Sequence, residues 1–168
     1  MSLSKWRRCG ITTDVMKDFC IMFGCKPAQI KLSEGQVITE RLTDIIPKNH
    51  DWEETLWAYH GLMKRIDHNT PYQSSAWHKK EVANETKDIP GRFNKFKILY
   101  FSIKKSGFAF KKRQHIKLLN VSNIKRVAPD KGGRISQKYY RINGMKRLLI
   151  CNYLGIQQIP VKIYGVKL

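Results

Sequence analysis

A glycine followed by two cations is the part of this sequence best suited to chemistry. Gly144 is preceded by Asn143 and followed by Met145, Lys146 and Arg147. A glycine lets the backbone come close to a ligand, and the free amides of a helix's first turn attract anions. Lys146 and Arg147 would add charge-assisted donors beside those amides. We therefore expect Gly144 to admit a phosphate, the amides of Met145 and Lys146 to hold it, and Arg147 to clamp it, with Asn143 at the edge of the site.

The flanking sequence predicts the elements that would position this corner. A strand is expected at 138–142, just before the glycine, and a helix should run from the glycine to about Leu154. Residues 159–164 predict a further strand, and residues 115–121 alternate well enough for another. An amphipathic helix is expected over 93–106, because its apolar residues recur at helical spacing. The pattern indicates strands and helices in alternation around the candidate site.

The N-terminal part of the chain predicts further helices. A helix is expected over 13–24, and a second over 51–66, where Asp51 and Glu54 suggest a capping box at its start. Val37-Ile38 predicts a short strand. Residues 67–91 are polar and turn-rich, which indicates an irregular loop, and such loops often carry function.

Three landmarks taken together resemble the ParB/sulfiredoxin superfamily. Residues 144–147 look like its Gly-x-x-Arg signature, and Leu154-Gly155 followed by Ile159-Pro160-Val161 is similar to its "leucine-glycine … isoleucine-proline-valine" strand. Residues 99–108 resemble the "SI-x-x-x-Gly-Leu" helix end that precedes the first core strand. The resemblance covers roughly residues 96–164.

This resemblance implies an α+β fold with a ParB/sulfiredoxin-like mixed sheet. We expect a core over residues 95–168, and an N-terminal helical extension with an irregular loop over residues 1–94, together forming one domain. The length of the chain, 168 residues, fits one domain with a real core.

Departures from the family pattern bear on activity. Sulfiredoxins carry a catalytic cysteine just after the signature glycine, where this chain has Met145, and a thioether cannot act as a thiolate. Cys151 lies too far along the helix to substitute. Partition-type ParB proteins bind CTP with a glutamate at the same position, and no carboxylate follows Asp130. We therefore expect no sulfiredoxin activity and no metal ligand at this corner; no cofactor is certain, and a nucleotide with or without magnesium stays open.

Some relatives are phosphotransferases or nucleases, which need a general base near the phosphates. A metal would have to be recruited from carboxylates of the N-terminal half, whose candidates are Asp51, Glu53, Glu54, Asp67, Glu81 and Glu85. The local supply of bases is His60, Asp67, His68, His78 and Glu81. An enzyme that uses these residues is the alternative to a binding protein without turnover.

The charge distribution favours a nucleic-acid partner. The net charge is +19, and residues 95–168 contribute +17 of it, with Asp130 as their single acid. Basic residues interleaved with aromatics suit nucleic acid, DNA rather than RNA, better than a lipid surface. If they share one face, the residues that would contact backbone phosphates are Lys104, Lys105, Lys111, Lys112, Arg113, Lys125 and Arg126.

No stretch of the sequence is long and apolar enough to span a bilayer, so we expect no membrane partner. Cys9, Cys20, Cys25 and Cys151 lack the spacing of zinc sites or of a disulfide framework, which favours reduced thiols in the cytoplasm. The sequence thus predicts a DNA-associated, ParB-like protein that binds phosphate or nucleotide. Docking of an acidic protein on the basic half is a third possibility.

Overall fold

Five strands form a mixed sheet at the centre of the fold in a computed structural model, which describes residues 3–108 and 115–168. The longest strand pairs antiparallel with the first two strands and parallel with the third, and the third pairs antiparallel with the fourth. The strands are β1 (Lys31–Leu32), β2 (Gln36–Arg41), β3 (Ile116–Asn120), β4 (Tyr139–Arg141) and β5 (Gln158–Lys167).

Helices cover both faces of this sheet. They are α1 (Leu3–Arg8), α2 (Thr13–Phe23), α3 (Leu42–Ile45), α4 (His50–Asp67), α5 (Ala76–Ala83), α6 (Ile89–Ser106) and α7 (Met145–Tyr153). Short 3₁₀ turns occur at Pro27–Gln29 and Tyr72–Ser74. The fold is therefore mixed α+β, as expected from the sequence.

Alternation along the strands divides the core into two clusters. Leu118 and Leu119 of β3 belong to different clusters, and so do Tyr139 and Tyr140 of β4, because successive strand side chains point to opposite faces. The larger cluster packs α3 to α7 on one face, and the smaller packs α1 and α2 on the other. Residues from both sides of position 95 contribute to each cluster, and β2 from the N-terminal part is hydrogen-bonded along β5.

Most predicted elements are confirmed. The helices expected at 13–24, 51–66, 93–106 and after Gly144 are α2, α4, α6 and α7, and the expected strands are β2, β3, β4 and β5. The helix over Leu3–Arg8 was not predicted.

The predicted capping box at Asp51 is wrong. Asn49 is the N-cap of α4, since its side chain accepts a hydrogen bond from the Trp52 amide at 2.8 Å. The start of α6 is also earlier than predicted, because Asp88 caps it by accepting from the Gly91 amide at 3.0 Å. Short polar side chains thus set both helix starts, upstream of the first apolar repeat.

The expected irregular loop at 67–91 contains a helix. Ser75 caps α5 by accepting from the His78 amide at 3.1 Å, and Trp77 and Glu81, one turn apart, are both buried. The helix is short and only these two of its residues are buried, so its apolar periodicity was too weak to detect in the sequence.

Gly144 connects β4 to α7 in the left-handed region of backbone space, at φ 86° and ψ 18°. A Cβ atom on this residue would lie 2.7 Å from Cγ1 of Ile116 in β3, so no side chain fits. Just before Gly144, the Asn143 side chain accepts from the Lys117 amide at 2.9 Å and the Ile142 amide donates to the Lys117 carbonyl at 2.8 Å. The start of α7 is therefore held against β3.

Replacing Gly144 by alanine should destabilise the fold more than the same change at Gly155. Both glycines have positive φ, but a Cβ at Gly155 would meet nothing within 4 Å. Gly155→Ala should cost about 1 kcal/mol of backbone strain. Gly144→Ala adds the overlap with Ile116 and should cost about 3 kcal/mol in total. Urea unfolding of both variants measures the difference, and equal losses would contradict the close approach to Ile116.

Candidate functional site

The N-terminus of α7 has no cap. Gly144 has no side chain to accept from the first turn, and the side-chain oxygen Oδ1 of Asn143 already accepts from the Lys117 amide of β3. Within residues 3–108 and 115–168, no acceptor is paired with the amides of Met145, Lys146 or Arg147, and the first turn contains no acidic residue. The positive end of this helix therefore keeps free donors, which is where an anion is stabilised.

Two cations occupy this uncapped turn although the helix dipole disfavours them there. Lys146 and Arg147 are both half-buried. Burial lowers the pKa of Arg147 below its usual range. Burial also lowers the pKa of Lys146, and the nearby positive charges of Arg92 and Lys95 act in the same direction. An anion bound near Lys146 would offset the repulsion from Arg92 and Lys95, because a negative charge favours the protonated form of all three side chains.

Glu81 is an acid whose charge acts on Lys146, and it is already paired with Arg92. Its carboxylate lies 3.1 Å from Nη1 of Arg92, and the residue is only 8% exposed. In the described part of the chain, neither Lys146 nor Arg147 forms an ion pair or a side-chain hydrogen bond. Arg147, the predicted clamp, is thus held by no carboxylate.

Gly144 has a structural role that the sequence did not reveal. Its lack of a side chain is explained by the contact with Ile116 and by its positive φ, so a ligand is not needed to account for it. Arg92 and Lys95 of α6 were missed, because they lie some fifty residues before the corner and only the packing of α6 against α7 brings them near.

Of the seven predicted backbone-contacting cations, the four that the structure describes lie in two different helical layers. Lys104 lies in the last turn of α6 and is paired with Asp67 at 2.7 Å, and Lys105 is exposed beside it. Lys125 and Arg126 precede Val127, whose amide donates to the Met22 carbonyl of α2 in the opposite layer. Lys111, Lys112 and Arg113 lie outside the described residues.

Asp67, a predicted catalytic or metal-binding acid, connects three helices instead. Its carboxylate accepts from the Tyr100 hydroxyl at 2.8 Å and the Tyr153 hydroxyl at 3.0 Å, in addition to Lys104. Burial acts to raise the pKa of Asp67, but hydrogen bonds from Lys104, Tyr100 and Tyr153 outweigh it and hold that pKa below its usual value. The residue therefore ties α4, α6 and α7 together.

The other acids and bases named for catalysis do not converge. The His60 ring packs against Tyr153 at 5.3 Å between centroids, and the His78 ring against Tyr72 at 5.6 Å. His68 follows the end of α4 and is exposed. The acids Asp51, Glu53 and Glu54 lie exposed near the start of α4, and Glu85 lies beyond α5. Of the residues that the structure describes, no three His, Cys, Asp or Glu side chains form a group that could hold a metal ion.

The cysteines are free thiols. Burial raises the pKa of Cys151 to about 12, and this residue is fully buried in α7. Cys20 and Cys25 lie near each other, and burial raises the pKa of both. A thiol so far from its thiolate form is a poor nucleophile at neutral pH.

Arg141 of β4 is a buried cation that the sequence did not reveal. It is 4% exposed, lies 5.8 Å from the Trp52 ring and donates to the Gly133 carbonyl at 3.2 Å. Burial, helped by the charge of Arg134, lowers the pKa of Arg141 to about 10. Asp130 organises the same loop, since its carboxylate accepts from the amides of Arg134 and Ile135 and from Asn49. The single acid of the C-terminal half is therefore structural.

Comparison with known proteins identified no relative of this chain. The chain matches no family model, and no curated protein or solved structure matches it significantly. Among the described helices, none is long and apolar enough to cross a membrane.

Asp67→Asn should lower the free energy of unfolding by about 1–2 kcal/mol near neutral pH, because three donors lose a charged acceptor. The low folded pKa of Asp67 means that its contribution is fully present above the unfolded value of about 3.9 and is lost as the pH falls through the folded pKa. The difference in the free energy of unfolding between the wild type and Asp67→Asn should therefore become smaller at acidic pH.

Asp44→Asn is the matched control, because its partner Arg41 has a side chain that is 72% exposed. That change should cost about 0.5 kcal/mol or less. Urea titrations over a pH series give both quantities. A gap that does not narrow below about pH 4 would show that the Asp67 carboxylate is not stabilised by folding.

Proposed function

We propose that this chain is a ParB-like, DNA-associated protein that binds a phosphate of a nucleotide or of nucleic acid at the N-terminus of α7. The observation that supports this most strongly is the meeting of unpaired first-turn amides with Lys146 and Arg147, neither of which is paired with an acid in the described chain. The helix dipole favours acids rather than cations at such a turn, and a bound anion would offset the cost of placing two cations there. The free amides and the two side chains supply donors of the kind that phosphate oxygens accept.

The order of elements supports the family resemblance. The strand β4 leads to Gly144, and α7 follows directly. Ile159-Pro160-Val161 lies near the start of β5, where Val161 pairs with Ile116 of the parallel strand β3. The helix end at Ser106, followed by Gly107 and then β3, agrees with the upstream landmark. In the family pattern described above, the Gly-x-x-Arg signature likewise follows a strand and begins a helix.

Binding without turnover is favoured over catalysis. Asp67 is engaged by three donors and Glu81 by Arg92, so these two candidate acids already have structural partners. Sulfiredoxin chemistry is disfavoured because Met145 stands at the cysteine position and the Cys151 thiol is buried within α7. A binding role requires only the first-turn amides of α7, Lys146 and Arg147, none of which has a partner in the described chain.

The charge of the second half supports DNA as the source of the phosphate. With +17 over residues 95–168, association with a polyanion would release counterions and be strongly salt-dependent. Binding of a single nucleotide at α7 would involve fewer phosphates, so its affinity should depend less on salt than the affinity for DNA. The two sources are separated by titrating each ligand at low and moderate salt.

Arg147→Ala should weaken nucleotide binding at least tenfold, because a charged hydrogen bond of about 1.5–3 kcal/mol is lost. Arg147→Lys should retain part of the affinity. The measurement is fluorescence anisotropy of a labelled nucleoside triphosphate and of a labelled DNA duplex, at two salt concentrations, with and without magnesium.

Arg8→Ala is the control, because it removes the same charge at a distant position. Arg8 is exposed on α1, in the opposite helical layer. If it reduces nucleotide binding as much as Arg147→Ala, then general attraction explains the affinity and the α7 site is rejected. Magnesium-dependent cleavage of the DNA or turnover of the nucleotide by the wild type would favour the enzymatic alternative.

A further inference from the structure

A groove with a volume of about 780 Å³ runs along α4, on a surface that the α7 site does not use. One wall is a continuous stripe of α4, and the facing wall is formed by Ser74, Ser75, Ala76 and Lys79 at the start of α5. The α4 residues are Glu53, Leu56, Trp57, His60, Gly61, Lys64 and Arg65, which recur at helical spacing. At 1.5 Å per residue the stripe extends about 18 Å, room for several linked units of a polymer.

Trp57 stands out in this groove because it is 73% exposed. The other three tryptophans of the chain, Trp6, Trp52 and Trp77, are each 2–3% exposed and belong to the core. A solvated indole contributes nothing to packing, and its flat face can stack on another planar ring. Its position on the groove wall suits a ligand that carries such rings.

Cations surround the indole. Lys64, Arg65 and Lys79 line the groove together with a single acid, Glu53. Lys64 and Lys79 are exposed, and Arg65 uses one Nη to donate to the Pro71 carbonyl at 3.1 Å. The lining is therefore net positive, which selects a ligand with negative charges spaced along it.

Gly61 leaves space at the middle of the stripe. A Cβ atom there would meet nothing within 4 Å, so neither packing nor a turn requires glycine in this helix interior. Alanine would be the more favourable residue for the helix itself. An open floor between Trp57 and Lys64 is what a ligand lying in the groove would use.

We propose that this groove binds single-stranded nucleic acid, with a base stacked on Trp57 and the neighbouring phosphates paired with Lys64 and Lys79. Exposed aromatic rings between cations are the means by which proteins hold single strands without reading their sequence. A duplex would not serve, because its bases are stacked on one another and its base faces are hidden. An acidic peptide would satisfy the cations but would offer the indole no ring.

Tryptophan fluorescence reports on this site selectively, because Trp57 is the exposed one of four. Titration of the full-length protein with short oligothymidine should quench the emission and should protect it from acrylamide. A duplex, an abasic sugar–phosphate oligomer and an oligoglutamate of equal charge serve as comparison ligands. The single strand should bind at least tenfold more tightly than the abasic oligomer.

Three variants test the geometry with a labelled oligothymidine. Trp57→Ala should weaken binding about tenfold, and Lys79→Gln should weaken it and reduce its salt dependence. Lys80→Gln is the matched control, since it removes the same charge from the next residue of α5, which does not line the groove. Gly61→Leu should fill the floor and abolish binding while leaving thermal stability unchanged or higher, so that loss of binding cannot be assigned to unfolding.

The proposal is overturned if the abasic oligomer or the oligoglutamate binds as tightly as oligothymidine, because stacking would then play no part. It is also overturned if Lys80→Gln and Lys79→Gln weaken binding equally, or if Gly61→Leu binds normally. Arg147→Ala should leave the Trp57 signal unchanged. This separates the groove from the α7 site, so either proposal can fail without the other.

Discussion

The contact between Gly144 and Ile116 is the constraint on which the candidate site depends. Because the chain has no Cβ at this position and adopts a left-handed conformation, β4 can turn into α7 directly over β3. Two hydrogen bonds to Lys117, from the two residues before Gly144, hold the same turn against β3. The Asn143 side chain that could have capped the helix is used for this attachment, so the same interactions that place α7 leave its first amides unpaired.

Electrostatics around α7 follow from how the acids are distributed among the helices. Glu81 pairs with Arg92, Asp67 joins three helices through Tyr100, Tyr153 and Lys104, and Asp130 holds the loop before β4. Each of these carboxylates stabilises the fold in a specific geometry. The cations at the start of α7 are left without a partner in the described chain, which gives this surface its capacity for an anion.

Local patterns in the sequence predicted most elements, and failures occurred where short polar side chains decide. Gly24 in the left-handed region ends α2 and Gly107 follows α6, as glycines at helix ends commonly do. The starts at Asn49 and Asp88 were missed because an N-cap lies before the first apolar repeat, and α5 was missed because few of its residues are buried. The roles of Asp67 and Arg92 depend on contacts between distant segments, such as the 86 residues that separate Asp67 from Tyr153. Spacing along the chain cannot reveal such contacts.

The central claim is that the first-turn amides of α7 bind phosphate. It is tested most directly by following backbone amide chemical shifts while inorganic phosphate, and then a nucleotide, is added to the isotopically labelled protein. The account predicts saturable chemical-shift changes for the amides of Met145, Lys146 and Arg147. These changes should be larger than those of the first-turn amides of the other helices. Shifts that are spread evenly over the lysine-rich surface, with these three amides unmoved, would contradict it.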